Sequence, residues 1–393
     1  MSSQTLFKRE FVKVLESRLA EKDPLIQVIL GPRQVGKTTG VESLFATGES
    51  SQGAKFHYVT ADDALALSQD WIFEQWQAAL VLGPDVILVI DEVQKVLHWS
   101  ESIKKVWDAS KRKKAKVKLV LLGSSSLSIS QGLEESLAGR FEVIPAPHWG
   151  YEESRAAFGY SLEDYFLFGD YPAASRFRTD FERWQSYLKN SIIETVIGKD
   201  ILRLRSVRHP GLFRQAFEII ASYPSQEMSY NKLLGQIQEK GNIDLVKHYL
   251  DLFEGAFLFR CLQKYTGSAQ MRKASSPKII PLCPALYSYQ ITPEEVRDPE
   301  IRGRIFESCV GSELANLPGD LFYWRDGDFE VDFVHVRGSQ VTAIEVKSGR
   351  RKRTQGLMAF CKKFPRAKKV FVTLENFGEF AKAPVNFLNV YRI

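Results

Sequence analysis

The sequence predicts an α/β protein with a parallel sheet in its first third, a mostly helical middle and a second α/β region at its end. Short β-branched runs alternate with helical stretches before residue 150, and a strand hairpin pattern follows residue 302. With 393 residues, 44% of them hydrophobic and 25% charged, the chain is long enough for two or three globular domains. We place the boundaries at 1–150, 151–275 and 276–393.

The first third contains four short apolar runs, IQVIL, FHYV, VILVI and KLVLL, which are typical of buried parallel strands. A helical stretch, ALALSQDWIFEQWQAALV, lies between the second run and the third. Strands that alternate with helices indicate a sheet built from βαβ units with helices on its faces.

The middle, from Tyr151 to about Tyr265, is predicted to be mostly helical. Within it, Gly211–Tyr265 suggests three helices and a hairpin, the order of a winged helix, whose third helix enters a DNA groove. In that helix Lys247 would face outward beside Asp244, so the face is not strongly basic. A structural or protein-binding module therefore stays open as the alternative.

The last part begins with the helix RIFESCVGSELANL, which should end near Pro318. FEVDFVHV and VTAIEVKS are predicted to be two strands joined by the turn RGSQ. A helix, QGLMAFCKKF, and a strand, KVFVTL, follow, and FLNVYRI is predicted to be a last short strand.

The net charge of +6 is mild, but basic residues cluster at Lys111–Lys118, Arg350–Arg353 and Lys362–Lys369. Such clusters suit a polyanion, and a solvated face is the alternative for each. No apolar run approaches the ~18 residues of a membrane span, and the first residues do not resemble a signal peptide. We expect a cytoplasmic protein with no membrane partner.

The four cysteines are widely spaced and form no C-x-x-C pair: Cys261, Cys283, Cys309 and Cys361. Neither a zinc site nor a disulfide is expected from this spacing, and the cysteines are interpreted as buried apolar side chains.

A phosphate-binding motif, GPRQVGKT, spans Gly31–Thr38 and matches G-x-x-x-x-G-K-[ST] between a predicted strand and a helix. Glycines let backbone N–H groups approach phosphates, Lys37 supplies a charge between the β- and γ-phosphates, and Thr38 supplies a hydroxyl for magnesium. The residues expected to bind ATP are Gly31, Pro32, Arg33, Gln34, Val35, Gly36, Lys37, Thr38 and Thr39.

The strand in DVILVIDEVQ ends at two carboxylates. We expect Asp91 to hold the magnesium of Mg-ATP and Glu92 to orient or deprotonate the attacking water. KLVLLGSSS places Ser124, Ser125 or Ser126 where a small polar group can sense the γ-phosphate, and Ser124 enters our catalytic set. Ligands of α/β sheets bind at the carboxyl ends of strands, so these groups should converge.

Arg140, in SLAGRFEV, is a candidate arginine finger that would reach the nucleotide of a neighbouring subunit. This interpretation implies a homo-oligomer, which we expect to be a ring. The alternative is an ion pair with Glu134, Glu135 or Glu142.

The C-terminal hairpin places charged residues two apart on each strand, with Glu330 and Asp332 on the first and Glu345 and Lys347 on the second. Joined by Glu307 from the preceding helix, the carboxylates of Asp332 and Glu345 could bind Mg²⁺ for phosphodiester hydrolysis, with Lys347 holding or activating water. Arg350, Arg351 and Arg353 follow at once and could grip DNA phosphates. The alternative is ordinary charges on an exposed sheet face.

LGPRQVGKTT, VIDEVQK, LLGSSS and SLAGR resemble the AAA+ (AAA_14-type) ATPase domain of prokaryotic proteins that carry a C-terminal DUF4143 region. FGDYPAA, YLKNSIIETVIGKDI and IFESCV…YWRDGDFEVDF…IEVKSG resemble that region, so the resemblance covers nearly the whole chain. It implies an AAA+ domain over 1–150, a helical lid and winged-helix region over 151–275, and a restriction-endonuclease-like domain over 276–393.

The family's last domain looks like the PD-(D/E)xK nuclease fold, and matching its motif implicates Glu307, Asp332, Glu345 and Lys347. The chain departs from the family in IIPLCPALY, where Cys283 stands at a position at which Asp is common.

From these residues we expect an oligomeric ATPase that binds DNA, branched or forked, in repair, recombination or genome defence, with nuclease activity left open. The alternative is a nucleotide-switched signalling or scaffold ATPase whose nuclease-like domain only docks a partner. DNA-stimulated ATP turnover would separate the two.

Overall fold

A computed structural model describes most of the chain, namely residues 7–46, 55–62, 68–83, 85–113, 117–123, 132–133, 136–201, 207, 209–237, 242–266, 275–349 and 354–390. The chain divides into two compact units, Met1–Pro147 and His148–Ile393. Among the described residues, no helix combines the length and the apolar character that a bilayer crossing requires.

The first unit is built on a five-stranded parallel sheet, which confirms the α/β prediction for this part of the chain. Its strands lie in the order β2-β3-β4-β1-β5. They are β1 (Ile26–Leu30), β2 (Phe56–Thr60), β3 (Val86–Asp91), β4 (Val117–Gly123) and β5 (Phe141–Pro145). The first four coincide with the predicted apolar runs, and every residue of β1 and β3 is buried.

The helices of this unit that lie wholly within the described residues are α1 (Glu10–Leu19), α2 (Lys37–Ala46), α3 (Gln69–Leu82) and α4 (Trp99–Lys113). Helix α1 buries one face, which includes Phe11, Val12 and Leu15, in a core that it shares with Ile29 of β1 and Val41 of α2. Burial of this apolar stripe holds α1 and α2 against the sheet, because each removes a continuous apolar face from water.

The second unit begins with helices, as predicted for the middle of the chain. They are α5 (Tyr151–Phe158), α6 (Leu162–Phe168), α7 (Phe181–Tyr187), α8 (Pro210–Ala221), α9 (Tyr230–Gln236) and α10 (Ile243–Gly255). The stretch that follows α7 continues as π-helix over Leu188–Ile193 and Val196–Ile201.

The same unit contains a seven-stranded sheet of order β12-β11-β10-β9-β7-β8-β6. Its strands are β6 (Gln226–Glu227), β7 (Phe259–Lys264), β8 (Lys278–Pro281), β9 (Asp320–Asp326), β10 (Phe329–Arg337), β11 (Gln340–Lys347) and β12 (Lys368–Thr373). Strand β7 pairs antiparallel with β8 and parallel with β9. The predicted 275/276 boundary therefore falls inside one hydrogen-bonded sheet, and the three-domain division stays a prediction.

From α8 onward the elements follow the order α8, β6, α9, α10, β7, β8. Phenyl rings from three of these elements meet in their core, since Phe253 of α10 contacts both Phe217 of α8 and Phe259 of β7. The predicted three helices and the strand FLFRCLQKY are present, and the short strand β6 was not predicted.

The remaining helices are α11 (Ala285–Ser288), α12 (Pro299–Ala315), α13 (Gln355–Lys363), α14 (Phe377–Lys382) and α15 (Pro384–Val390). The helix, hairpin, helix and strand predicted after residue 302 are all observed. The prediction that FLNVYRI forms a last strand is wrong, because residues 384–390 form α15. Residues 391–393 lie outside the described part. Pro384 favours a first helical position, and the adjacent Phe387 and Leu388 are both buried, which an alternating strand would not allow.

Candidate functional site

The phosphate-binding motif forms a loop between β1 and α2. Glycine is required at position 31, because a Cβ there would lie 1.9 Å from the carbonyl oxygen of Ala146. Gly36 adopts a φ of 83°, in the region that L-residues with side chains rarely enter. Helix α2 then begins at Lys37, so its N-terminal N–H groups open into the loop.

The side chain of Lys37 folds back over this loop. Its Nζ donates hydrogen bonds to the carbonyl oxygens of Gly31 at 2.9 Å and Pro32 at 2.6 Å, and the residue is 8% exposed. The buried ammonium therefore lies above the backbone groups that the motif provides for an anion.

The carboxylate of Asp91, at the end of β3, is the point at which three segments meet. Its Oδ2 accepts hydrogen bonds from the hydroxyl of Thr38 at 2.7 Å and from the hydroxyl of Tyr58 at 2.8 Å. Its Oδ1 accepts one from the backbone N–H of Glu92 at 2.8 Å. Burial and the adjacent charge of Asp91 raise the pKa of Tyr58, so the phenol stays a donor. The predicted convergence of Thr38 and Asp91 is observed.

Glu92 directly follows β3 in a left-handed conformation, with a φ of 52°. Its Oε2 accepts a hydrogen bond of 2.6 Å from Gln94 Nε2 and lies 3.9 Å from a guanidinium nitrogen of Arg33 in the phosphate loop. A non-glycine residue in this conformation is uncommon, and such residues cluster at functional sites. The strand end thus presents its two carboxylates next to the phosphate loop, as predicted.

The buried guanidinium of Arg9 supports the loop from the side of the N-terminal segment. It donates to the carbonyl oxygens of Val35 at 3.1 Å and Pro147 at 3.0 Å, and the residue is 4% exposed. Arg9 fixes the position of the loop because the planar guanidinium joins two backbone segments at once.

Arg140 pairs with Asp108 of α4 within the same chain. Its Nε donates to Oδ1 at 2.9 Å, and a terminal nitrogen donates to Oδ2 at 3.0 Å. The ion-pair partner is therefore Asp108 and not Glu142, which pairs with Arg18. The other two expected partners, Glu134 and Glu135, lie outside the described part. Ser124, Ser125 and Ser126 also lie outside the described residues.

The predicted C-terminal carboxylates surround a lysine that no motif indicated. Lys278 of β8 is 1% exposed, and its Nζ lies 2.5 Å from Glu307 Oε1 and 3.4 Å from Glu330 Oε1. The same ammonium donates to the carbonyl oxygen of Asp332 at 3.3 Å. Burial alone would lower the pKa of Lys278, but the carboxylates of Glu307 and Asp332 raise it overall.

The hairpin of β10 and β11 brings Asp332 and Glu345 to the same place. Strands β10 and β11 pair Phe333 with Ile344, so one further step along this register sets Asp332 opposite Glu345. A bulge between β9 and β10 falls at this position, and Asp332 Oδ2 accepts a hydrogen bond of 2.7 Å from Val346 N. Bulges of this kind re-aim side chains.

Glu345 Oε1 lies 2.5 Å from Lys347 Nζ, while Glu345 Oε2 is buried with no hydrogen-bond partner among the described residues. Burial and the charge of Asp332 raise the pKa of Glu345. Glu307, Asp332 and Glu345 do not bring three ligand atoms within 4.8 Å of one another. Within the described part of the chain, His148, Asp170 and Cys283 are the one set that does.

The predicted DNA-contacting residues are described only in part. Arg350, Arg351 and Arg353 lie outside the described residues. Lys247 is exposed on α10, with its ammonium 5.4 Å from the ring centroid of Tyr230. The exposed face of α10 also carries Asp244 and Asp251, so it is close to neutral, as expected.

Residues 23–154 match the AAA_14 family, whose description is an AAA domain. Two further family models match the second unit, DUF8612 over residues 159–294 and DUF4143 over residues 302–389, both described as domains of unknown function. No protein with curated information matches the chain.

Two solved structures that resemble the chain are the Thermotoga maritima RuvB Holliday junction branch migration motor and Cdc6p from Pyrobaculum aerophilum. The first is 14% identical, with a TM-score of 0.34, over 68% of this chain and 94% of that chain. The second is 12% identical, with a TM-score of 0.34, over 67% of this chain and 90% of that chain.

Three residues of the AAA domain site escaped the sequence prediction, namely Arg9, Tyr58 and Gln94. Tyr58 lies in β2, which pairs in parallel with β3, so the end of β2 had to lie beside Asp91. That strand pairing could have indicated Tyr58 in the run FHYV. Arg9 and Gln94 left no comparable signal, because their contacts depend on loop conformations that the sequence pattern does not specify.

Proposed function

We propose that the protein is an ATP-hydrolysing AAA+ protein that binds DNA and works as an oligomer. The observation that carries the ATPase assignment is the 2.7 Å hydrogen bond between Thr38 and Asp91. It joins the phosphate loop to the carboxylate end of β3, beside Lys37 and Glu92.

In this proposal Lys37 exchanges its two loop carbonyls for the β- and γ-phosphates of ATP. Those carbonyl oxygens accept hydrogen bonds from the ammonium at 2.9 and 2.6 Å. A charged donor is therefore already held at the loop. The N-terminal N–H groups of α2 and the loop backbone bind the remaining phosphate oxygens.

Thr38 and Asp91 fit the magnesium ion that accompanies ATP, because a hydroxyl and a carboxylate oxygen are the hard donors this ion prefers. The ion would neutralise charge on the phosphates. Tyr58 shares the same Asp91 oxygen and holds the carboxylate in place.

Glu92 is the group proposed to orient the attacking water. Its backbone N–H donates a hydrogen bond to Asp91 Oδ1, and its Oε2 accepts one from Gln94 Nε2. These two hydrogen bonds orient the carboxylate. A carboxylate can accept a proton from water or polarise it.

Arg140 is proposed to act on the nucleotide of a neighbouring subunit. In the single chain, Asp108 binds it with two hydrogen bonds on a surface where both side chains are about one-third exposed. Exchange of one solvated anion for another costs little, since solvent screens exposed ion pairs. A neighbour's γ-phosphate could therefore replace Asp108.

The DNA role rests on the order α8, β6, α9, α10, β7, β8, which supports a winged helix, and on the basic clusters. Arg350, Arg351 and Arg353 are proposed to bind backbone phosphates, with Lys247 as a further contact on α10. Because the exposed face of α10 carries Asp244 and Asp251 beside Lys247 and is not strongly basic, we propose binding mainly through phosphates and not through base edges.

The test is ATP turnover by the purified chain with and without duplex, forked, four-way and single-stranded DNA, with Lys37→Ala as the inactive reference. Stimulation by one of these DNAs supports the proposal. Turnover that no DNA changes would instead favour the nucleotide-switched scaffold. Absence of turnover under all conditions, with nucleotide bound, would reject the ATPase assignment.

A second candidate function is metal-dependent cleavage of DNA by the C-terminal domain, for which we propose a nuclease-like fold. The unpartnered Oε2 of Glu345, next to Lys347, favours cleavage. Lys278 opposes it, since its ammonium already gives Glu307 and Glu330 the positive charge that a metal ion would bring to them. We therefore propose that this domain holds DNA and does not cut it.

This choice is tested by incubating plasmid and oligonucleotide DNA with the wild type, Lys278→Met and Glu345→Gln in Mg²⁺ or Mn²⁺. No cleavage by the wild type supports a silent domain. Metal-dependent cleavage that Glu345→Gln abolishes would overturn it. The Lys278→Met variant asks whether removal of the internal cation opens a metal site.

A further inference from the structure

Three metal-ligating side chains from distant segments meet in the interior of the second unit. His148 precedes α5, Asp170 follows α6, and Cys283 follows β8. One ligand atom from each lies within 4.8 Å of the others, and the residues are 5%, 1% and 0% exposed. We propose that His148, Asp170 and Cys283 bind one zinc ion.

The distances suit such an ion. His148 Nδ1 and Asp170 Oδ1 are 3.2 Å apart. Nitrogen and oxygen ligands at ~2.0–2.1 Å from a tetrahedral zinc lie about 3.3 Å from each other, so this edge of the tetrahedron is already formed. The sulfur of Cys283 completes a set of one imidazole, one carboxylate and one thiolate, a combination that zinc accepts.

The surroundings of the histidine orient it for metal binding. The Nε2 of His148 lies 2.9 Å from the carbonyl oxygen of Phe257, which can only accept a hydrogen bond. Nε2 therefore carries a hydrogen, and Nδ1 is the nitrogen directed at Asp170. Histidines that bind metals usually donate their other N–H to a carbonyl or carboxylate, which fixes the ring in this way.

The carboxylate supplies an independent sign of a ligand. Asp170 Oδ2 is buried and has no hydrogen-bond partner among the described residues. A buried polar atom without a partner is rare, because it has lost its hydrogen bonds to water. A cation beside Asp170 would give Oδ2 the interaction that this oxygen lacks.

The sulfur has the backbone donors that stabilise a thiolate. The Cys283 sulfur accepts hydrogen bonds from the backbone N–H groups of Asp170 and Ala285, and its thiol also forms a hydrogen bond with the Asp170 side chain. Donors of this kind support a sulfur ligand once the metal has displaced its proton.

Charge neutrality is kept when the ion enters. Without metal, the 3.2 Å contact between His148 Nδ1 and Asp170 Oδ1 requires one shared proton, and the Cys283 thiol carries another. Zinc would displace both protons to solvent and leave a thiolate, a carboxylate and a neutral imidazole. The two negative charges balance the ion, so no uncompensated charge is buried.

The competing explanation is a hydrogen-bonded triad of the same residues without metal. The two differ in cobalt binding, because Co²⁺ occupies zinc sites and a thiolate ligand gives it a near-ultraviolet charge-transfer band. The test uses the full chain, purified without a polyhistidine tag, stripped with a chelator and titrated with Co²⁺ and then Zn²⁺.

We expect one Co²⁺ per chain with a thiolate band, and zinc should displace it. Cys283→Ser should lose the band, and the matched variant Cys361→Ser should keep it. If Cys283→Ser fails to fold, a chain in which Cys283 is the remaining cysteine (Cys261→Ala, Cys309→Ala, Cys361→Ala) must still show the band. No thiolate band in the wild type, or a band that survives in Cys283→Ser, would overturn the proposal.

Discussion

The hydroxyl of Thr38 donates a hydrogen bond of 2.7 Å to Oδ2 of Asp91, 53 residues further along the chain. This contact joins the start of α2 to the end of β3. It places the magnesium ligands proposed for Mg-ATP on two rigid elements of the parallel sheet unit. A site held by a helix and a strand keeps its geometry better than one held by loops.

Lys37→Ala should lower ATP hydrolysis by roughly 10²–10³-fold, because the phosphates lose their charged donor. Turnover by the purified variant, together with binding of a fluorescent ATP analogue, measures the effect. Lys104→Ala, an exposed lysine of α4, is the matched control and should behave as wild type. Equal turnover in both variants would place the nucleotide elsewhere.

Glu92→Gln should bind ATP normally and hydrolyse it roughly 10²–10⁴-fold more slowly, since an amide cannot accept the proton of the attacking water. The amide can still accept from Gln94, so the local structure should persist. Single-turnover hydrolysis measures the chemical step directly. Glu74→Gln, an exposed residue of α3, serves as the control, and a wild-type rate in Glu92→Gln would assign the base to another residue.

Arg140→Ala should reduce hydrolysis by roughly 10³-fold if the guanidinium acts on a neighbour's nucleotide. Mixing inactive Arg140→Ala with inactive Lys37→Ala should then restore activity, because an intact phosphate loop on one subunit can face an intact Arg140 on the other. Light scattering with ATP should show the oligomer. If mixing restores nothing, or the chain stays a monomer with ATP, Arg140 acts only as the partner of Asp108.

Neutralising Arg350, Arg351 and Arg353 should weaken binding to all DNA sequences about equally. The slope of log affinity against log salt should fall by about 3 in magnitude, one for each lost phosphate contact. Titrations at several salt concentrations test this expectation. The control neutralises Lys8, Lys13 and Lys104 of the first unit, and an equal loss there would mean that only net charge matters.

The stability of the second unit should fall as pH rises from about 4.5 to 7, in part because of Glu313 on α12. Burial raises the pKa of this carboxyl from 4.5 to about 7 in the folded state. The folded state therefore holds the proton more tightly than the unfolded chain. The contribution is complete below about pH 4.5 and is lost as pH rises through 7.

Glu313→Gln, which can still accept from Tyr151 N, should remove this dependence. We expect it to stabilise the second unit by on the order of 2–3 kcal/mol at pH 8.5 and by little at pH 4.5. Urea unfolding at the two pH values measures the difference. The exposed Glu379→Gln should show no such change, and an unaltered pH dependence in Glu313→Gln would refute the assignment.

The parallel sheet and its phosphate loop could be predicted from sequence because the chemistry is local. GPRQVGKT and the strand that ends at Asp91 each carry their own signal, and parallel pairing brings them together. The contacts of Lys278, Arg9 and Asp108 could not be predicted, since each depends on tertiary pairing between segments far apart in the chain. Cys283 was interpreted as a small apolar residue, because its neighbours His148 and Asp170 come from distant segments.

The errors have equally particular causes. Strand β6 has two residues, too few for any periodicity. The final helix was taken for a strand because FLNV contains a short apolar run that either element can bury, and Pro384 was not used as a helix start. Ser124 and the three arginines after β11 lie outside the described residues, so their proposed roles stay predictions.

The parallel pairing of Gln263 with Phe322 and of Lys264 with Tyr323 makes β7 the neighbour that covers β9. The segment that matches DUF4143 starts at residue 302 and so contains β9 without β7. Expressed by itself, that segment would present the N–H and C=O groups of β9 to solvent as a bare edge. Such edges recruit further strands, so the isolated segment would tend to aggregate, and a usable truncation has to begin well upstream of the family boundary.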